Sequence, residues 1–189
     1  MFDLLESDMH FQVAQRAHDK LFVQAGVVSW HGRAIVVPGR SMSGKTSLVA
    51  ALVRAGARYY SDEYAVFDHQ GWVHPYPKPL SVRDAAGGRR QKLPVEAFAG
   101  QAGTGPLQVG LIVVTKYRRG GRWAPRLLPP GQALLALLNN TVLARVRPGF
   151  ALRTLRQVVP GTRAIKSTRG ESETVVAPIL KQLETFLAS

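Results

Sequence analysis

Gly39-Arg40-Ser41-Met42-Ser43-Gly44-Lys45-Thr46 is the stretch that decides the fold. It stands between the apolar run at residues 34–38 and a segment, 46–55, whose Leu48, Val49, Leu52 and Val53 share one helical face before Gly56 ends it. The order is strand, loop, helix. The pattern G-x-x-x-x-G-K-[ST] puts glycine where backbone amides must turn inward, lysine where a side chain must reach outer phosphates, and a hydroxyl where magnesium must be held. Gly39 and Gly44 supply the close approach, Lys45 the charge and Thr46 the metal-facing hydroxyl. Arg40, Ser41, Met42, Ser43 and Ser47 complete the cradle, and the helix N-terminus adds its dipole. The spacing predicts binding of ATP with Mg2+.

Upstream, residues 21–30 read as a strand joined to the loop's own strand by His31-Gly32-Arg33, and 7–20 carry apolar positions at helical spacing. Downstream, Arg58-Tyr59-Tyr60-Ser61 and residues 64–68 read as strands, His69-Gln70-Gly71 as a turn and Trp72-Val73-His74 as a further strand. Pro75, Pro77 and Pro79 stop regular pairing. Residues 84–106, rich in Gly, Ala and basic side chains, predict a mobile basic loop, and 116–130 a second one. The continuous β-branched run at 109–115 predicts a buried strand. Helices are expected at 131–140, 150–158 and 172–187, with a strand at 163–166. Together these give a single α/β domain over 1–189, a mixed sheet with flanking and C-terminal helices.

Composition narrows the chemistry. Cysteine is absent, which removes disulfides, thiolate metal sites and thiol nucleophiles. The five histidines form no helical pair with a carboxylate of the zinc-binding kind, and no G-x-S-x-G elbow is present. Lys plus Arg number 25 against 12 Asp plus Glu, and 18 of the 25 are arginine, so the net charge of +13 favours an anionic partner. The apolar runs are too short to cross a bilayer, and the N-terminal acids Asp3 and Glu6 stand where a signal peptide would be basic. A cytoplasmic location without membrane attachment is the expectation. Oligomeric state is not encoded in any feature of the chain.

A phosphate loop needs an acidic group to position its magnesium. The 109–115 strand runs into Lys116 and Tyr117, with no carboxylate at its end, whereas Asp62 and Glu63 end the strand that follows the loop helix. A strand beside the loop strand would bring this pair to the phosphates. One carboxylate is then suited to the metal and the other to the proton of an attacking hydroxyl.

Over residues 21–83 this arrangement resembles the catalytic domain of HPr kinase/phosphorylase, whose fold is a P-loop variant related to phosphoenolpyruvate carboxykinase. The resemblance rests on the phosphate loop, one helix, and the Arg-containing strand Arg58-Tyr59-Tyr60-Ser61-Asp62-Glu63 ending in adjacent carboxylates. It implies an ATP- and Mg2+-dependent kinase acting on a serine hydroxyl of a protein or peptide. Lys45 would contact the phosphates, Thr46 and Asp62 the metal, and Glu63 would accept the proton, with Arg83 stabilising developing charge. The chain departs from the family at Gln24, where the family has a histidine, and at Ser81, where it has a glutamate. These departures keep a non-catalytic ATP-binding module as an alternative. The basic loops keep a nucleic-acid-associated ATPase as a second.

Overall fold

The computed structural model describes residues 17, 19–40, 43–83 and 90–189, with only the backbone of Arg83 and Arg90. The helix expected at 7–20 falls almost entirely outside the described residues.

Strand β1 (Leu21–Trp30) turns at His31-Gly32 into β2 (Arg33–Pro38) and pairs with it antiparallel, from Trp30 opposite Arg33 to Ala25 opposite Pro38. Both turn residues have positive φ, 48° and 73°, the signature of a tight hairpin that follows the strands' own twist. Helix α1 (Lys45–Arg54) follows, then β3 (Arg58–Ser61), β4 (Tyr64–Phe67) and β5 (Val73–His74). Next come β6 (Leu80–Arg83), β7 (Arg90–Leu93), β8 (Val109–Tyr117), β9 (Arg126–Leu127), α2 (Pro130–Leu138), α3 (Pro148–Val158), β10 (Arg163–Arg169) and α4 (Glu173–Leu187). The main sheet runs β5-β4-β1-β2-β8-β10-β9, with β3 also on β1. Strands β2, β8 and β10 are mutually parallel and the other pairs antiparallel, so the sheet is mixed as its sequence predicts.

Because side chains alternate across a strand, a sheet buried on both faces needs apolar residues at successive positions. Ile35 and Val37 face one core with Leu111, Val113, Ile165, helix α1 and helix α4. Ala34 and Val36 face the other with Ile112, Ala164, Leu137 of α2 and Leu155 of α3. The result is three layers, with α1 and α4 on one side and α2 and α3 on the other.

Two expectations change. Residues 84–106 are not one loose loop: 90–93 form β7 against β6, Val95–Phe98 form a 3-10 turn, and Ala102 bridges to Tyr59. Sparse apolar residues do this, since Val95 and Phe98 are buried against the α1 core and Leu93 packs on it. Residues 84–89 lie outside the described residues. The strands that flank the acidic pair, which sits in the turn between β3 and β4, are also not neighbours of the loop strand: both pair with β1, which lies between them and β2.

Gly26 in β1 closes that distance. A Cβ built there would sit 2.5 Å from Cγ2 of Val49, so α1 lies directly on the glycine and crosses β1 toward β3. Gly26→Val should cost about 1–3 kcal/mol by overpacking, read as a lowered denaturant midpoint, and should move α1 away from β3.

Candidate functional site

The parallel strands β2, β8 and β10 end on one side of the sheet, and there the chain leaves β2 through Gly39. The Gly39 amide donates to the Gln24 carbonyl (3.0 Å), which ties the start of the loop to β1. Gly44 then enters α1 in the left-handed region, φ 86° and ψ 15°, and no side chain caps the helix. The first turn holds no acidic residue and begins with Lys45. Helix N-termini normally satisfy their free N–H groups with a capping side chain and favour acids, each such charge contributing about 0.3–1 kcal/mol. A lysine at an uncapped end runs against that preference unless an anion comes to it. The Lys45 ammonium folds back over the loop and donates to the Arg40 carbonyl at 2.7 Å.

The Thr46 hydroxyl donates to Oδ2 of Asp62 at 3.1 Å. The same carboxylate accepts from the Tyr59 hydroxyl at 3.3 Å and from the Ser81 backbone amide. The single Tyr59 hydroxyl proton is shared with the Lys78 carbonyl, the closer acceptor at 2.8 Å. Burial pushes the Asp62 carboxyl above its ordinary value; the three hydrogen bonds oppose this and the neighbouring Glu63 charge adds to it. Burial pushes Lys45 below the ordinary lysine value, with Asp62 and Glu63 pulling it back. Both carboxylates therefore act on the lysine. Glu63 turns its side chain to Lys78, with Oε2 3.5 Å from the ammonium, and remains half exposed.

The sequence-predicted residues Gly39, Gly44, Lys45, Thr46, Asp62 and Glu63 thus share one end of the sheet. Ser43 closes a loop turn on the Arg40 carbonyl (3.3 Å), and Arg40 and Ser47 are exposed. Ser41, Met42 and the Arg83 side chain lie outside the described residues. Gln24 hydrogen-bonds Tyr64 through its side chain, and Ser81 offers Asp62 an amide instead of a carboxylate.

No family model matches this chain, and no curated protein matches it in sequence. Among solved structures it is similar to the Hpr(Ser) kinase/phosphatase from Coxiella burnetii. The two are 12% identical over 89% of this chain and 99% of that one, with a TM-score of 0.46. A likeness this loose carries no functional conclusion, which rests on the residues.

Two participants were not legible in the sequence. Tyr59, which holds Asp62, looks like any strand aromatic. Arg169, at the end of β10, is 2% exposed and donates to the Gly44 carbonyl from Nη2 (2.6 Å) and to the Gly170 carbonyl and Ser172 Oγ from Nη1 (both 3.1 Å). Burying a cation costs several kcal/mol, and charge-assisted hydrogen bonds of about 1.5–3 kcal/mol each offset it. Nothing in the sequence separates Arg169 from the other arginines.

No cluster of three or more His, Asp or Glu side chains gathers among the described residues. The oxygen pair Thr46–Asp62 nevertheless suits magnesium, which keeps several waters and needs only one or two protein oxygens beside substrate phosphates.

The raised Asp62 value has a sign. The folded protein holds the Asp62 proton more tightly than the unfolded chain, so this group's contribution to stability is full below the ordinary carboxylate value and lost as pH rises through the raised one. Denaturant midpoints measured across pH should show that decline in the wild type, and Asp62→Asn should lack it.

Proposed function

We propose that the chain binds ATP with Mg2+ at the Gly39–Thr46 loop and transfers the γ-phosphoryl group to a hydroxyl on a protein or peptide. The observation that carries this reading is the 3.1 Å contact between the Thr46 hydroxyl and Asp62 at the uncapped N-terminus of α1. A hydroxyl and a carboxylate, beside a lysine and free helix amides, form the donor and acceptor set of a phosphate loop.

In this reading Lys45 releases the Arg40 carbonyl and takes the β- and γ-phosphates, while the first-turn amides of α1 point at the same oxygens. Magnesium, held by Thr46 and Asp62 together with the nucleotide, would neutralise phosphate charge. Tyr59 and the Ser81 amide keep the Asp62 carboxylate turned toward Thr46. Glu63, one residue on and half exposed, accepts the proton of the attacking hydroxyl as its oxygen bonds to the γ-phosphorus and the bond to the β-phosphate oxygen breaks, leaving ADP. Lys78 orients Glu63 from the solvent side.

Nucleotide binding without transfer is the second reading, favoured by the Glu63 side chain being turned to Lys78 and by Gln24 and Ser81 standing where the resembled family has a histidine and a glutamate. A nucleic-acid-associated ATPase has the net charge of +13 and the basic segments of the sequence behind it, and no contact in the site favours it. No helix among the described residues is long and apolar enough to cross a membrane.

Isothermal titration calorimetry with Mg-ATP should give saturable binding that Lys45→Ala removes and Asp62→Asn weakens chiefly when magnesium is present. With labelled ATP and a serine-containing acceptor, Glu63→Gln should keep binding and lower transfer by about 10²–10⁴-fold. Tight binding with no transfer by the wild type, unchanged in Glu63→Gln, selects the second reading.

A further inference from the structure

Arg169 is a buried cation whose hydrogen-bond partners among the described residues include no carboxylate. They are two backbone carbonyls and the Ser172 hydroxyl, and its Nε has no partner there. Glu171 and Glu173 act on Arg169 through space without a hydrogen bond, so the groups that fix the guanidinium in place are two carbonyls and a hydroxyl, and what those carbonyls do carries the explanation.

The Gly44 carbonyl is the informative one. It accepts the first helical hydrogen bond of α1, from the Leu48 amide at 3.3 Å, and the Arg169 Nη2 bond at 2.6 Å. It is therefore held by two donors from separate elements. Because a peptide is planar and trans, its C=O and N–H point in opposite directions. Fixing the Gly44 carbonyl toward Arg169 therefore fixes the Lys45 amide N–H away from it. Gly44 is also confined sterically: its φ of 86° suits glycine, and a Cβ there would lie 2.6 Å from Nη2 of Arg169 and 3.5 Å from Cβ of Tyr117. Tyr117 pairs with Arg169 across β8 and β10, and the guanidinium carbon stands 5.6 Å from its ring centroid. The end of β10 and the end of β8 thus form a wall against one peptide of the loop.

We infer that Arg169 is a positioning residue for phosphate binding: acting through the Gly44–Lys45 peptide, it aims the Lys45 amide into the loop and adds a fixed positive charge behind it. This rests on the phosphate-loop reading proposed above. Lysine at this position would keep the charge but lose the planar fork that reaches Gly44 and Ser172 together.

The test compares wild type, Arg169→Gln, Arg169→Lys and Lys45→Ala. In nucleotide-free protein, hydrogen exchange of the Leu48 amide, which bonds the same Gly44 carbonyl, should be faster in Arg169→Gln than in wild type, while amides of Leu111 to Val113 in the sheet keep their protection. The calorimetric Kd for Mg-ATP should rise about tenfold to a hundredfold, the usual loss when a supporting partner is removed. Arg169→Lys should recover part of the affinity, and it carries both measurements if the glutamine variant does not fold. A purely structural arginine would lower the denaturation midpoint with general loosening, leave the Leu48 amide no more affected than the sheet, and leave Kd unchanged in folded protein. That result overturns the inference. Where that result comes with ATP binding by wild type and none by Lys45→Ala, the phosphate reading stands and the Arg169 role alone is refuted. Failure of wild type to bind ATP overturns the phosphate reading, and the positioning role with it.

Discussion

Helix α1 lies on β1 at Gly26, where a single extra carbon would meet Val49 at 2.5 Å. The site depends on that close approach. Strand β1 separates the loop strand β2 from β3, whose end leads into Asp62, and a helix standing farther off would leave Thr46 short of the carboxylate. Pressed onto the glycine, the helix spans the intervening strand and the hydroxyl meets Asp62 at 3.1 Å. The rest of the contact follows from packing: Leu48, Val49, Leu52 and Val53 are fully buried against the sheet and hold the helix there.

Around that contact the protein accepts several local costs. An uncapped helix begins with a lysine, a carboxyl is buried enough to resist ionisation, and a guanidinium is enclosed without a carboxylate hydrogen-bond partner among the described residues. Stable cores avoid all three. Their concentration at one end of the sheet, where three parallel strands terminate, matches where open α/β sheets gather ligands.

The strand–loop–helix unit and the acidic pair were legible because they are local: glycine spacing, a lysine and a hydroxyl, then an apolar helix and two adjacent carboxylates. The sheet order was not: the His31-Gly32-Arg33 turn announces the β1–β2 hairpin, but no residue pattern says that β3 and β4 pair with the far edge of β1 and not beside β2. Residues 90–98 were misread because glycine and basic residues outnumber the few apolar ones that dock the segment, Leu93, Val95 and Phe98. Arg169 and Tyr59 stayed hidden for another reason. Their roles come from partners far along the chain or behind the sheet, and the residue types are common.

The hydrogen bond from Arg169 to Gly44 spans 125 positions of sequence. During synthesis the loop, its helix and the acidic pair all emerge before β10 exists, and β10 must insert beside β8 in parallel register before its last residue can reach the glycine. Contacts of such long range form late, because the intervening chain must first lose its freedom. The loop is therefore made long before the strand that completes it, and it is among the last parts to be finished.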